Sequence, residues 1–299
     1  MTRPTIGFIG LGLMGSAMVQ RLIDRGYAVT VLGHRDRTGV EAATARGARE
    51  AKTARDLAAA SDVVMLCMGT SAQVESRMYG DDGVVSGLKP GAVAIDFGTS
   101  LPASTRAIGA AVAAVGATYM DAPLGRTPSH GREGKLNIMC AGDEATFARI
   151  RPVLDDLGEN VFHLGSLGSG HTIKLINNFF AMTTASAMAE VFVMADATGI
   201  PRQRIYDVMS AGPLHSGMMD FVKAYAIDGD ADKLAFALEN ARKDVGYYIR
   251  MAEDSGSATV MSGAAKLLLD LAVAGGRGKD NVPRLVDFVS TLIRTDPKA

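Results

Sequence analysis

The chain has 299 residues, of which 47% are hydrophobic, and its 31 basic and 32 acidic side chains give a formal net charge of −1. A chain of this length can bury a full hydrophobic core and typically divides into two domains. The balanced charge excludes a basic surface for nucleic acid or an anionic membrane, so we expect small molecules or copies of the chain itself as partners.

The two cysteines, Cys67 and Cys140, each lie in an apolar segment. This placement favours free thiols in a reducing compartment over a disulfide, and we expect no metal site. The sequence opens directly on an apolar segment with no room for a signal peptide, and polar residues interrupt each apolar stretch before about twenty positions. We therefore expect a cytoplasmic protein without a membrane segment.

The first predicted element is a glycine-rich strand-to-helix turn, IGFIGLGLMG, at residues 6–15. In such a motif the first glycine makes the tight turn, the second lets the backbone approach a pyrophosphate, and the third lets the helix pack closely on the strand. An amphipathic helix and a second strand, Ala28 to Leu32, follow. The motif predicts a dinucleotide site, formed by Gly10, Leu11, Gly12, Leu13, Met14 and Gly15.

The end of the second predicted strand bears on the choice of cofactor. An acidic residue at this place accepts from the adenosine ribose, whereas basic residues hold a 2′-phosphate. Here Gly33 stands where the acid is expected, and His34, Arg35 and Arg37 follow it. The sequence therefore favours NADP(H), while Asp36 keeps NAD(H) open as an alternative.

Short β-branched segments alternate with alanine-rich helical stretches up to about residue 165. After the first two strands, we predict strands at Val63 to Met68, Val93 to Phe97, Thr118 to Asp121, Asn137 to Ala141 and Val161 to Leu164. This alternation predicts a doubly wound parallel sheet in an α/β domain over residues 1–165. Residues 166–299 predict an all-helical domain, entered through a long apolar helix at 171–198.

Lys174 and Asn178 are candidate catalytic residues, because a helix places side chains four positions apart on one face. A lysine in a cleft is a credible proton donor, since desolvation lowers its pKa toward neutrality. Asn178 could orient the oxygen that receives the proton. The alternative left open by spacing alone is a surface lysine, with Asn177 and Asn178 bridging backbone groups.

The segment from Asp121 to Pro128 follows a predicted strand and combines turn-forming residues with one arginine. Loops at the carboxyl edge of a parallel sheet are where such folds bind ligands. A guanidinium pairs well with a carboxylate, phosphate or sulfonate. We predict that this loop holds a small anionic substrate through Pro123, Leu124, Gly125, Arg126 and Thr127, the alternative being a purely structural turn.

Four motifs together resemble the β-hydroxyacid dehydrogenase family, which includes 3-hydroxyisobutyrate dehydrogenases and tartronate semialdehyde reductases. They are the glycine-rich turn, Asp121-Ala122-Pro123, the segment Gly168 to Asn178 and Lys243-Asp244. The resemblance spans the whole chain in the same order. It implies an N-terminal Rossmann domain, an all-helical C-terminal domain of the 6-phosphogluconate dehydrogenase type, and a homodimer or homotetramer.

The resemblance also assigns roles to individual residues. It implies that Lys174 is the proton-transfer lysine, that Asn178 is the asparagine of the same helix, and that Thr99 lies beside the nicotinamide. Lys243 is then expected near both cofactor and substrate. We further expect the substrate to contact Asn177, and the cofactor to contact Met68.

Two departures from the family pattern bear on the substrate and the cofactor. The loop Gly125-Arg126-Thr127 replaces the usual Ser-Gly-Gly and is similar to that of sulfolactaldehyde reductases, where the arginine helps to hold a sulfonate. The segment Gly33-His34-Arg35, in contrast, departs from the sulfolactaldehyde branch. That branch is similar to proteins that have an aspartate at this position and prefer NAD(H). The substrate is therefore expected to be anionic, with carboxylate and sulfonate both open.

We expect an oxidoreductase that moves a hydride between the nicotinamide and a small anionic aldehyde or the matching primary alcohol. Imine reductases share this architecture but usually carry aspartate or tyrosine where this chain has Lys174. A decarboxylating 6-phosphogluconate-type enzyme would carry a glutamate where this chain has Ala181. A non-catalytic dinucleotide-binding module is a further alternative, but it leaves the combination of Lys174, Asn178 and Arg126 unexplained.

Overall fold

The structure is a computed structural model that describes residues 3–293, so residues 294–299 of the predicted helical domain lie outside the described part. Its contacts divide the chain into two compact units, one ending at Lys174 and the other beginning at Leu175. This division falls within one long helix, Ser169–Ala197.

The first unit is built on a six-stranded parallel sheet with the strand order β3-β2-β1-β4-β5-β6. Its strands are β1 (Ile6–Ile9), β2 (Val29–Leu32), β3 (Arg49–Ala51), β4 (Val63–Leu66), β5 (Val93–Asp96) and β6 (Thr118–Asp121). Strands of this kind are continuous apolar runs, because helices cover both faces of a parallel sheet. Met65 and Val64, adjacent on β4, accordingly belong to two separate hydrophobic cores. The predicted doubly wound fold is confirmed.

Eight helices connect and cover these strands within the described part of the first unit. They are α1 (Leu13–Asp24), α2 (Thr38–Thr44), α3 (Ala54–Ala59), α4 (Ser71–Met78), α5 (Val84–Gly87), α6 (Pro102–Ala114), α7 (Pro128–Glu133) and α8 (Glu144–Leu157). Local caps begin several of them. For example, the Thr53 and Asp143 side chains accept from backbone N–H groups at the starts of α3 and α8.

The last strands of this unit form a second sheet of three strands, which corrects the expectation of a single parallel sheet. These strands are β7 (Leu124–Gly125), β8 (Leu136–Cys140) and β9 (Gly158–His163). β7 pairs antiparallel with β8, and β8 pairs parallel with β9. The connection from β7 to β8 is short and contains α7, so the chain folds back on itself instead of crossing over to extend the parallel sheet.

The second unit is helical throughout its described residues, apart from an isolated bridge between Ala237 and Asn281. Its helices are the later part of α9 (Ser169–Ala197), then α10 (Arg202–Ser210), α11 (Gly217–Ala226), α12 (Leu238–Asp254), α13 (Met261–Ala272) and α14 (Leu285–Ile293). Short 3-10 turns occur at Asp232–Leu234 and Val282–Arg284, and a π turn at Val273–Arg277. The predicted all-helical second half is confirmed.

Helix α9 has 29 residues and is, within residues 3–293, the one helix long and apolar enough to cross a membrane. In the structure, however, its buried residues help to form the core of the helical unit. Met182, Met188 and Phe192 pack there with Val222 of α11 and Leu269 of α13. Packing within the helical unit therefore accounts for the buried apolar residues of α9, while other apolar residues of the helix are exposed.

Candidate functional site

The glycine-rich turn has the geometry of a phosphate-binding loop. Gly10 adopts a positive φ of 99°, and a Cβ on Gly15 would collide with the carbonyl oxygen of Gly10. By contrast, a Cβ on Gly12 would meet no atom within 4 Å, so the protein's own packing does not require a glycine there. Helix α1 starts immediately after Gly12 and has no acidic residue in its first turn. Its N–H groups and dipole therefore suit a pyrophosphate, and the loop fits the predicted cofactor.

The predicted cofactor residue Met68 lies beside this loop. A Cβ on Gly10 would come within 2.9 Å of the Met68 sulfur. Thr99 lies in the turn that follows β5, and the Asp96 carboxylate holds this turn by accepting from Gly98 N at 2.8 Å and Ser100 Oγ at 2.7 Å. The structure thus places Met68 and Thr99 at the carboxyl ends of β4 and β5, the edge at which α/β sheets bind ligands.

Two cavities open at the carboxyl ends of β2 and β3. One, of about 450 Å³, is lined by Gly33, His34, Arg37, Glu50, Ala51 and Lys52. The other, of about 430 Å³, shares Gly33 and Lys52 with the first and extends to Tyr79. Arg35 is exposed beside the first cavity but is not among its lining residues. The sequence predicted His34 as a cofactor residue here but did not single out Glu50, which lies on a three-residue strand that was not predicted.

A buried polar cluster joins the start of α9 to the sheet. The Asp121 carboxylate accepts from Gly168 N and His171 N, both at 2.7 Å, and His171 Nδ1 lies 2.7 Å from Thr105 Oγ1. Thr105 Oγ1 also lies 3.1 Å from Leu101 O, so the hydroxyl contacts both the imidazole and the backbone of its own helix. Burial raises the pKa of Asp121, although His171 and the two N–H groups oppose that rise.

The sequence did not predict that these residues form a cluster. His171 and Asp121 are 50 residues apart in the chain, and no local pattern predicts their contact. The cluster fixes the beginning of α9, and Lys174 follows His171 by one turn of that helix. It therefore positions the helix that carries the predicted catalytic lysine.

The predicted substrate loop is ordered around Arg126. Leu124 is buried in β7, and Pro123 O accepts from Met139 N at 3.0 Å. Arg126 has a φ of 77°, a left-handed conformation that favours glycine, and its guanidinium donates to Lys135 O at 2.7 Å and Glu159 Oε2 at 2.5 Å. Thr127 Oγ1 bonds His130 Nδ1 at 2.7 Å. The loop therefore presents an arginine that is already paired with a carboxylate.

In the helical unit the structure brings Asn178 together with Asp244 and Lys243. Asn178 Nδ2 donates to Asp244 Oδ2 at 2.6 Å, and both residues are buried. Lys243 Nζ lies 3.0 Å from the other oxygen of Asp244 and 5.3 Å from the centre of the Tyr247 ring. Asn177 Nδ2 makes a long contact of 3.4 Å to Asn178 Oδ1. A carboxylate only accepts hydrogen bonds, so Asp244 fixes which end of the Asn178 amide faces it.

Neither cysteine is an activated thiol. Burial raises the pKa of both Cys67 and Cys140 to about 12, so neither thiol is ionised near neutral pH. Both are free, as predicted. Within the described residues, no group of three or more His, Cys, Asp or Glu side chains is placed to hold a metal ion.

Both halves of the chain match known protein families. Residues 5–165 match the family described as the NAD binding domain of 6-phosphogluconate dehydrogenase. Residues 168–289 match the family described as NAD-binding of NADP-dependent 3-hydroxyisobutyrate dehydrogenase. The chain is 33% identical to a probable mitochondrial 3-hydroxyisobutyrate dehydrogenase-like protein of Arabidopsis thaliana, over 97% of this chain and 95% of that protein.

Solved structures share the whole fold. One is a 3-hydroxyisobutyrate dehydrogenase from Mycobacterium tuberculosis with L-serine, which has a TM-score of 0.84 and 24% identity and covers 96% of this chain and 99% of its own. Another is an imine reductase from Myxococcus stipitatus with NAD+, with a TM-score of 0.66, 24% identity and coverage of 96% and 100%. At these identities the structural likeness establishes the architecture, whereas the sequence matches establish the family. The chain belongs to the β-hydroxyacid dehydrogenase family and is an NAD(P)-dependent oxidoreductase.

Proposed function

We propose that the protein interconverts a small anionic aldehyde and the matching primary alcohol, with Lys174 as the proton donor or acceptor. The observation that carries this proposal is the arrangement on α9, where Lys174 precedes Asn178 by about one turn and the Asn178 amide is fixed by Asp244. The N-terminal part of the same helix is anchored by Asp121. A general acid and an oriented amide on one rigid helix suit the reduction of a carbonyl.

The bound nicotinamide supplies or takes up the hydride. In the reductive direction the aldehyde oxygen gains negative charge, and Lys174 stabilises that charge and transfers a proton to the oxygen. One N–H of the Asn178 amide donates to Asp244. The second N–H is proposed to donate to the aldehyde oxygen and to orient it. In the oxidative direction Lys174, in its neutral form, takes the proton from the alcohol.

The substrate's anionic group is proposed to bind at the loop of Pro123, Leu124, Gly125, Arg126 and Thr127. Asn177 is also proposed as a substrate contact. Arg126 is paired with Glu159 in this structure, and its side chain is 29% exposed. A substrate carboxylate or sulfonate would compete with Glu159 for the guanidinium, which suits bidentate binding of such groups. The left-handed backbone of Arg126 supports a functional role, since a glycine would adopt that conformation with less strain.

NADP(H) is the proposed cofactor, with NAD(H) as the alternative, because the basic residues His34 and Arg35 follow β2. The third basic residue of this segment, Arg37, is paired with Glu50, and this pairing opposes the preference for NADP(H). Lys243 is proposed to lie near the cofactor and substrate. We also propose a cytoplasmic homodimer or homotetramer. Supporting an assembly, Ile176, Phe180 and Met194 on α9 are 49%, 69% and 53% exposed, and exposed apolar side chains on one helix favour burial against another subunit.

Replacement of Lys174 tests the catalytic assignment. We expect Lys174→Ala to lower kcat by about a hundredfold to ten-thousandfold, the range typical for the loss of a general acid. The dissociation constant for NADPH, measured by fluorescence titration, should change less than about twofold, which separates the loss of proton transfer from the loss of cofactor binding.

Lys89→Ala, at an exposed lysine after α5, is the matched control and should keep normal turnover. Near-normal turnover of an active substrate by Lys174→Ala would contradict the assignment. The imine reductase likeness is one of fold, and activity with a cyclic imine but with no aldehyde would favour that alternative.

A further inference from the structure

The carboxylate of Glu50 occupies the place of the acid that β2 lacks. Glu50 lies on β3 opposite Val31 of β2, and a Cβ built on Gly33 would collide with Glu50 Oε1 and Arg37 Nη1. A larger residue at position 33 would therefore displace both side chains. The glycine at the end of β2 makes room for a charge pair supplied by the neighbouring strand and by the following loop.

The pair itself is bidentate and accessible to a ligand. Arg37 Nη1 donates to Glu50 Oε1 at 2.6 Å, and Nη2 donates to Oε2 at 2.8 Å. The side chains are 47% and 34% exposed and line the cavity of about 450 Å³ together with Lys52. Hydrogen bonding to Arg37 lowers the pKa of Glu50, so this carboxylate is ionised at neutral pH.

Asp36, the other acid near the end of β2, is engaged elsewhere. Its Oδ1 accepts from Thr38 N at 2.9 Å, which begins helix α2, and this hydrogen bond lowers the pKa of the Asp36 carboxyl. Asp36 is not among the residues that line the cavity, whereas Glu50 is. Glu50 is thus the carboxylate placed to meet a ligand at the end of β2.

In a dinucleotide fold this place receives the 2′ position of the adenosine ribose. An ionised carboxylate accepts from a ribose hydroxyl but repels a 2′-phosphate, while a guanidinium attracts the phosphate. In the ion pair Glu50 accepts from both Nη1 and Nη2 of Arg37, so a phosphate at this end of the guanidinium would have to compete with the Glu50 carboxylate. The two members of one pair therefore act in opposite directions on the choice between the two cofactors.

We propose that Glu50 is the specificity-determining residue at the adenosine 2′ position, supplying from β3 the carboxylate that Gly33 lacks and restraining Arg37 from binding a 2′-phosphate. The inference rests on the nucleotide site of the proposed function and extends it to a residue outside the β2 turn. It makes cofactor preference adjustable by a single charge on β3.

Calorimetric titration of the whole protein with two fragments, adenosine 2′,5′-bisphosphate and 5′-AMP, tests this proposal without a substrate. The readout is the ratio of the 5′-AMP dissociation constant to that of the bisphosphate. Glu50→Gln, which keeps the side-chain size and removes the charge, should raise this ratio by about tenfold or more. Arg37→Gln should lower it by a similar factor, and Glu50→Ala should shift it in the same direction as Glu50→Gln.

Glu41→Gln is the matched control. Glu41 is exposed in the first turn of α2, and its replacement removes the same charge from the surroundings of Arg37. It should change the ratio by less than about twofold, because the bidentate partner of the Arg37 guanidinium is Glu50 and an exposed charge on α2 is screened by solvent. A ratio for Glu50→Gln that stays within twofold of the parent's, or falls, overturns the proposal. So does a parent protein that binds neither fragment.

Failure of the proposed function gives a different pattern. If the parent protein reduces no aldehyde but its fragment ratio rises in Glu50→Gln, the substrate assignment fails and the role of Glu50 stands. If it reduces an aldehyde but the ratio does not respond to Glu50, the role of Glu50 fails and the reaction stands.

Discussion

The Asn178 amide illustrates how one buried contact defines the chemistry of a side chain. An amide can turn over and present either its oxygen or its nitrogen to a ligand. The contact with the Asp244 carboxylate allows only the nitrogen to face that side. In the proposed mechanism Asp244 is therefore a positioning residue, which acts on the reacting oxygen through Asn178.

We expect Asp244→Asn to lower kcat by about tenfold, because the isosteric amide no longer fixes the orientation of Asn178. The melting temperature and the NADPH dissociation constant should change little. The measurement is steady-state kinetics combined with thermal unfolding. Asp254→Asn, on the same helix but in an exposed pair with Arg250, is the control and should leave kcat unchanged. A fall in melting temperature without a fall in kcat would reduce Asp244 to a structural role.

Several residues of the site could be predicted from the sequence, and others could not. The roles of Gly10, Gly12 and Gly15 follow from local geometry, and the structure gives each glycine a distinct environment. Asp244 and Glu50 act through partners 66 and 13 residues away, so no local pattern revealed their contacts. The ion pair of Arg126 with Glu159, 33 residues further on, was equally hidden.

Helix α9 is held at its start by a carboxylate that comes from outside the helix. Asp121, at the end of β6, accepts from Gly168 N and His171 N, which places a negative charge at the helix N-terminus. Unlike Asp143, which caps α8 from the adjacent position at the surface, Asp121 is fully buried. Its removal would leave buried N–H groups without an acceptor.

We expect Asp121→Ala to lower the free energy of unfolding by about 1–3 kcal/mol or more, the range for buried polar groups that lose a partner. Asp143→Ala should cause a smaller loss, since water can replace its exposed cap. Urea unfolding of the two variants measures the difference. Equal losses in the two variants would contradict the claim that burial makes the Asp121 cap contribute more to the free energy of unfolding than the Asp143 cap.

Asp121 also makes the stability of the folded protein depend on pH in the acidic range. The pKa of Asp121 is raised in the folded state, so its contribution to stability falls as the pH rises from the ordinary value of 3.8 through the folded pKa. Asp121→Asn should lack this decline. The comparison requires unfolding of both proteins across that acidic range.

At the level of helices and strands, the apolar runs were predictable and the short edge elements were not. β1, β4 and β5 are continuous buried segments, which is why their positions could be predicted. β3 has three residues, two of them exposed and charged, and β7 has two residues. Such strands are defined by their pairing partners, so periodicity could not identify them. Strands were predicted at the positions of β8 and β9, but their pairing in a separate sheet depends on partners distant in the sequence and could not be predicted.

Taken as a whole, the molecule combines a dinucleotide-binding unit with a helical unit, joined by one continuous helix. Its nearly balanced charge means that an anionic substrate is not attracted by the overall field of the protein. Selection of an anion must then come from local groups, of which Arg126 is the proposed one. The central claim is therefore that reduction requires an aldehyde carrying an anionic group.

The most direct test is the initial rate of NADPH oxidation, with NADH in parallel, across a panel of carbonyl compounds. The panel comprises sulfolactaldehyde, methylmalonate, tartronate and succinate semialdehydes, glyoxylate, uncharged propanal and a cyclic imine. We predict turnover of at least one anionic aldehyde, with a kcat/KM at least about a hundredfold above that of propanal, because a paired guanidinium contact contributes a few kcal/mol. Equal rates with propanal, or activity with the imine alone, would contradict the account.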